Sequence, residues 1–220
     1  MKNKSDLATA SHPPASSLRR IPNQRRSRER VENILQCAIS LIAKNGSDAM
    51  RMSELAQEAG VSIGSLYQYF PDKAAIIQTL TERYNAESRD CIKAALDPVA
   101  TVEELQTAFA ALIDEYYEIF LADPAMRDVW SGTQADKTLH DIELEASREN
   151  AAILANSLNR LTDKADKEVL NATAFLIMHL GEATMRLALP LSRAEGQKLV
   201  DAYKRMALAE LRRLVDAKAA

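Results

Sequence analysis

A chain of 220 residues with three histidines and two cysteines has little from which to build a catalytic or metal centre. One histidine, His12, sits in a terminal stretch of Ser, Ala and Pro. Paired Glu-x-x-His motifs, which a di-iron helical bundle needs, are missing. Cys37 and Cys91 lie far apart without Cys/His ligand spacing, so they read as buried free thiols. There is no glycine-rich phosphate loop and no nucleophile–base arrangement. The expectation is a non-enzyme with no metal and no cofactor. The chemistry that the sequence does concentrate is non-covalent. Residues 61–73, VSIGSLYQYFPDK, hold two tyrosines, a phenylalanine, two serines, a glycine and a lysine, in a chain that is only 5% aromatic. A tyrosine can lay its ring on a scaffold and set its hydroxyl on a phosphate oxygen, and a nearby lysine can reach the same backbone.

The elements that must hold those groups are helices. Ala, Leu, Glu, Arg and Lys dominate, and the few Gly and Pro fall at candidate helix ends, which gives an all-α fold. Residues 1–24 carry no apolar period and read as a disordered basic arm. The first helix is expected over 27–44, with Val31, Ile34, Leu35, Ala38, Leu41 and Ile42 at helical spacing and Asn45-Gly46 as its stop. A second runs from an N-cap at Ser53 to Gly60. A third runs from a cap at Ser62 to Pro71, and a fourth follows a cap at Asp72. Five more follow. Thr101 and Glu104 make a capping box for the fifth, and Asp123-Pro124 starts the sixth. The seventh and eighth cover 136–161 and 163–189, and the ninth follows Ser192 and Glu195. The division expected is a helix-turn-helix domain over 25–77 and a helical body over 78–220.

Three short helices with a glycine turn between the second and third fit a helix-turn-helix, whose third helix enters a major groove. Ala56 must be small where the helices cross, Gly60 turns the chain, and Val61 and Leu66 anchor the third helix. From a start near Ile63, Leu66 and Phe70 are four apart and point inward. Tyr67 lies off that face and Tyr69 near its outer edge. Tyr67, Tyr69 and Lys73 are therefore the phosphate candidates, with helix N-terminal N–H groups beside Lys73. Charge agrees. Residues 19–73 carry nine Lys/Arg against six Asp/Glu, whereas residues 74–220 carry seventeen against twenty-four. A positive third on an acidic body suits an anionic partner. Arg25, Arg26 and Arg28, where the arm meets the first helix, either add phosphate or minor-groove contacts or belong to a solvated tail.

The segment 52–73, MSELAQEAGVSIGSLYQYFPDK, resembles the DNA-binding signature of TetR-family (tetracycline-repressor-like) transcriptional regulators. The likeness covers about residues 27–77. It rests on a Gly-Val turn, a Leu-Tyr pair, a second aromatic two residues on, Phe, and Lys three after it. It implies a regulator that binds double-stranded DNA as a homodimer on a pseudo-palindromic operator. In that frame Ser53 caps the second helix and touches phosphate. Ser62, Ile63, Gly64, Ser65 and Gln68 form the exposed recognition face, and Tyr67, Tyr69 and Lys73 grip phosphates. Gln68 and Ser65 can hydrogen-bond bases and Ile63 can meet a thymine methyl. Gly64 permits close backbone approach. With no Arg or Lys on that face, bidentate guanine readout is unavailable, which leaves much of the recognition to shape and phosphate contacts.

Beyond residue 77 only the helical outline matches the family. Gly181, Thr184 and Ala188 are small enough for close helix contact, and Val200, Tyr203, Ala207, Leu211 and Leu214 form a stripe. Packed against symmetry mates, these helices would make a four-helix dimer interface; the alternative is that both stripes bury within one subunit. Phe109, Tyr116, Tyr117, Phe120, Met126, Trp130, Gln134, Phe175, Met178 and His179 form either a pocket for a small organic effector or simply core. An effector would act by moving the fourth helix and releasing a repressor from its operator. The competing class is a DNA-binding adaptor whose body takes a protein partner and no small molecule. No apolar run is long enough to span a bilayer and no signal-peptide pattern is present, so a cytoplasmic protein without membrane contact is expected.

Overall fold

The computed structural model describes residues 25–133, 136–162 and 166–216. Among them are nine helices and no strand: α1 (Arg25–Asn45), α2 (Met52–Glu58), α3 (Ile63–Tyr69), α4 (Lys73–Leu96), α5 (Val102–Ala122), α6 (Pro124–Gly132), α7 (Lys137–Leu161), α8 (Lys167–Ala188) and α9 (Arg193–Asp216). No described helix is long and apolar enough to cross a membrane. The described residues form two compact units, one up to Tyr84 and one from Asn85 onward, which divide inside α4.

The first unit is built on α1, whose six periodic apolar residues, Val31 to Ile42, are all buried. Gly46 (φ 81°) ends α1 and Gly60 (φ 65°) makes the turn after α2. Both sit in the left-handed region that a side chain penalises. The closing bond of that turn runs from the Val61 N–H to the Ala56 carbonyl at 3.0 Å. Leu66 and Phe70 are fully buried beneath α3. Asp72 caps α4 by accepting from the Ala75 N–H at 2.8 Å. Ile76 and Leu80 extend the core along α4, and an Arg83–Glu32 ion pair at 2.8 Å fastens its third turn to α1. The unit therefore reaches past residue 77 to Tyr84. One cap differs from expectation. Arg51, not Ser53, occupies the N-cap of α2, with no side-chain capping bond. Ser53 lies exposed in the first turn, because Met50 is buried and draws the chain into the helix early.

The second unit follows its predicted caps closely. Thr101 and Glu104 complete the capping box of α5, Asp123 accepts from the Met126 N–H ahead of Pro124, and Asp136 accepts from the Leu139 N–H. The α8 cap is Asp166; the expected start at Asp163 lies outside the described residues. Helices α5, α7, α8 and α9 surround one apolar core, in which Phe109, Tyr117 and Phe120 meet Leu154, Leu158, Ile177 and Val200. Cys91, expected to be buried, is exposed on α4, one position off the buried Ile92 and Leu96 face.

The expected dimer stripe is corrected by this core. Val200, Tyr203, Ala207, Leu211, Leu214 and Ala188 are buried within the subunit itself. Gly181 is packed on the Tyr203 ring, where a Cβ would stand 2.9 Å from its Oη, and Tyr203 donates to the Ile177 carbonyl at 2.6 Å. Of the eight residues Gly181 and Thr184 are half-buried and stand outside the core. Apolar periodicity marks a face to be buried but not the partner that buries it. The apolar surface that stays open on α8 is its other side: Val169, Leu176, Leu180 and Leu187 are 43–60% exposed.

Candidate nucleic-acid interface and interior cleft

Helix α3 has two faces. Leu66, Tyr69 and Phe70 point into the three-helix core. Ser62, Ile63, Gly64, Tyr67 and Gln68 are exposed, with Ser65 at the edge. Ser62 caps the helix by accepting from the Ser65 N–H at 3.1 Å, so part of its hydroxyl capacity is committed there. Ile63 and Tyr67, 44% and 42% exposed, sit one turn apart on the same ridge. Two large hydrophobes held open to solvent on a seven-residue helix are poor packing and good presentation. Gly64 stands between them with no heavy atom within 4 Å of a Cβ placed there. Arg25, Arg26 and Arg28 are exposed at the start of α1, Arg25 in an ion pair with Glu29 at 2.7 Å.

Two expected phosphate groups have other partners. Tyr69 is 5% exposed, and its hydroxyl shares a 2.9 Å hydrogen bond with Ser27 Oγ on α1. It lies three residues after Leu66, on the inward face rather than at the outer edge. The Lys73 ammonium donates to the carbonyls of Ser47 and Asp48 at 3.0 and 2.9 Å. It ties down the α1–α2 loop instead of standing free, and the Asp72 carboxylate already takes an N–H at the start of α4. Among Tyr67, Tyr69 and Lys73, Tyr67 is the one left exposed.

In the second unit the aromatic residues expected to line a pocket are mostly core. Phe109, Tyr117, Phe120 and Trp130 are buried, while Tyr116, Met126 and Met178 pack at the core's margin. Tyr116 and Trp130 meet Phe120 at centroid distances of 4.8 and 4.5 Å. Phe175 lies under the Arg148 guanidinium, 4.8 Å from its ring centre. Gln134 lies outside the described residues. A cleft of about 370 Å³ lies instead between α7 and α8, lined by His140, Glu143, Leu144, His179, Glu182, Ala183, Arg186 and Leu187. His179 alone was expected there.

The cleft's charges are ordered. Arg186 pairs with the buried Glu143, donates to the Trp130 carbonyl at 2.8 Å and to Thr133 Oγ1 at 3.0 Å, and stacks 3.8 Å above the Trp130 ring. Thr133 in turn donates to Glu143 at 2.6 Å. Glu182 receives only the Ser147 hydroxyl, 2.7–2.8 Å away, with His179 Nδ1 at 3.5 Å. Burial pushes the Glu182 carboxyl up to about 7, Glu143 adds to the rise, and Ser147 and Arg186 oppose it. Burial, with the Glu182 charge nearby, also raises the Tyr116 and Tyr203 phenols. Sequence reading missed Glu182 and Arg186 because four-residue spacing on a helix looks like a surface ion pair. The signal was two opposite charges inside an otherwise apolar helix.

A helix-turn-helix that holds the outer face of its third helix bare, followed by an all-helical body, is the architecture of a DNA-binding regulator. Comparison with known proteins makes the family specific. A family model described as "Tetracyclin repressor-like, C-terminal domain" matches residues 103–215, and one described as "Bacterial regulatory proteins, tetR family" matches residues 34–80. The chain belongs to the TetR family of transcriptional regulators. It is 31% identical over 118 residues to the uncharacterized HTH-type transcriptional regulator YvdT of Bacillus subtilis, a match spanning 52% of this chain and 58% of that protein. A solved Streptomyces coelicolor transcriptional regulator superposes with a TM-score of 0.66 at 19% identity, covering 86% of this chain and 99% of its own. FadR of Bacillus subtilis, solved in complex with stearoyl-CoA, superposes with a TM-score of 0.56 at 21% identity, covering 82% of this chain and 97% of its own.

Proposed function

We propose that this regulator is a homodimeric repressor that binds a pseudo-palindromic operator and is released by a small organic effector held in its second unit. The observation that carries the dimer is the open face of α8. Val169, Thr173, Leu176, Leu180, Ala183 and Leu187 follow one another at alternating spacings of four and three. That is the 3.5-residue repeat of a helix seam, running for ~27 Å at 1.5 Å per residue. The outward side of α9 repeats it with Leu199, Ala202, Met206 and Ala209, and Met206 is 69% exposed. Helices α8 and α9 pack together, so two copies would close a four-helix interface. Dimerisation would set two α3 helices about 34–36 Å apart, one turn of duplex, or a multiple of that.

Reading of the operator falls to Gln68, Ser65 and Ile63, with Tyr67 and the α1 arginines on phosphate. The effector reading is supported by the cleft, since buried ionisable groups around open volume are where small molecules gain binding energy. Release requires that the effector favour a dimer whose α3 helices no longer match the operator spacing. Selection of bound duplexes from a random library, repeated across salt concentrations, tests the reading. An enriched inverted repeat with a steep salt slope is the expected result. A folded protein that enriches no sequence would refute it and favour the adaptor class.

A further inference from the structure

The cleft in the second unit is not charge-neutral. Glu143 and Arg186 cancel, and Arg186 is fully engaged by Glu143, Thr133, Trp130 and the Trp130 ring. Glu182 has no such partner. Its side chain is 13% exposed, it accepts from one serine hydroxyl, and its remaining lone pairs belong to a carboxylate that can take about four donors. A carboxylate this poorly solvated on the wall of a cavity is costly unless a cation arrives. We propose that the α7–α8 cleft binds a small organic cation, whose charged nitrogen pairs with Glu182 and whose hydrocarbon part lies on Leu144 and Leu187. This rests on reading the second unit as effector-binding and adds the chemical class of the effector. An anionic ligand is disfavoured, because the one fixed cation in the cleft is already paired.

The pairing has a pH signature. The groups facing Glu182 are Glu143 and His140 from α7, His179 and Arg186 on its own helix, Tyr116 from α5 and Tyr203 from α9. The two carboxyls repel, and the phenols stay neutral through physiological pH. With its carboxyl near 7, Glu182 goes from mostly protonated to mostly ionised between pH 6 and 8. Its ionisation favours an incoming cation at higher pH.

The test titrates full-length protein with hexylammonium, and with hexanol and hexanoate as neutral and anionic probes of the same length, by calorimetry and by the ring resonances of His140 and His179. Hexylammonium is expected to bind saturably, roughly tenfold or more tighter than either control, and about tenfold tighter at pH 8 than at pH 6. Glu182→Gln, close in shape, should abolish both the preference and the pH slope. Equal or tighter binding of hexanoate, or an ammonium affinity untouched by Glu182→Gln, overturns the cation site. Operator release is read in the same samples. Ammonium binding without release keeps the site and refutes the effector reading. Release by hexanol or hexanoate without ammonium preference keeps the effector reading and refutes the cation site.

Discussion

Replacing Gly64 with alanine should move stability and DNA binding in opposite directions. Gly64 lies in the second position of α3 with no positive backbone angle, and an added methyl meets no atom within 4 Å. Nothing inside the protein requires glycine there. Alanine is favoured over glycine in a helix by up to ~1 kcal/mol, less near an end, partly by restricting the unfolded chain. For a chain of this size 1 kcal/mol corresponds to a Tm rise of about 2–4 °C. The same methyl projects ~1.5 Å from the backbone between Ile63 and Tyr67, into the space a groove would fill. An affinity loss of tenfold or more, about 1.4 kcal/mol, is expected on the selected operator. Thermal unfolding by circular dichroism and anisotropy titration at fixed salt measure the two effects. Undiminished operator affinity would refute close backbone approach at Gly64, and a fall in Tm would refute the steric reading of the site.

Other perturbations separate the remaining claims. Glu182 holds its proton more tightly folded than unfolded, about 7 against an ordinary 4.5. Its penalty on folding is therefore absent below pH 4.5, grows up to 7 and is complete above. Glu182→Gln should thus stabilise the protein at pH 8 by roughly 3 kcal/mol at most, with the two urea-denaturation profiles converging near pH 4.5; parallel profiles would contradict the burial argument. Gly196→Ala should destabilise by ~1–3 kcal/mol, since its Cβ would overlap Tyr117 Oη and stand 2.7 Å from the Ala188 carbonyl oxygen. Tyr117→Phe removes a buried hydroxyl with no hydrogen-bond partner, so denaturant unfolding should show equal stability or a gain of about 1 kcal/mol. Leu176→Glu with Met206→Glu should leave circular dichroism unchanged yet convert a dimer to a 24.3 kDa species in light scattering; a dimer that persists would place the interface elsewhere.

Much of the first unit was legible because its signals are local. Apolar spacing located α1, two glycines marked the turns, and Ser62 and Asp72 announced their helices. The site side chains were harder. Leu66, Tyr69, Phe70 and Lys73 fall at helical spacings of three, four and seven, so Tyr69 was readable as inward; its hydroxyl invited an external phosphate, and Ser27 supplied the partner instead. No local pattern could show that Lys73 would find the carbonyls of Ser47 and Asp48, 25 residues or more away. In the second unit the two faces of α8 were not separable from sequence. One face, with Leu170, Ala174, Ile177 and Met185, fills the subunit core. The cleft was invisible for a related reason, since Glu143 and Arg186 are 43 residues apart and meet only through the packing of α7 on α8.

Helix α8 also bears on how a ligand signal would travel. Ala183 and Leu187 line the cleft and belong to the outward 3.5-residue seam. In the proposed dimer the ligand and the second copy would therefore press on the same two side chains. Any ligand that lifts Leu187, 60% exposed in the single chain, changes what the partner helix packs against. Coupling would then need no long relay, only a seam with two packings of nearly equal energy. The ligand's leverage on DNA is limited to its differential affinity for those two packings. Leu187→Ala should consequently weaken the effect of hexylammonium on operator binding more than it weakens hexylammonium binding itself. Equal losses in both titrations would show that Leu187 holds the ligand without transmitting its presence.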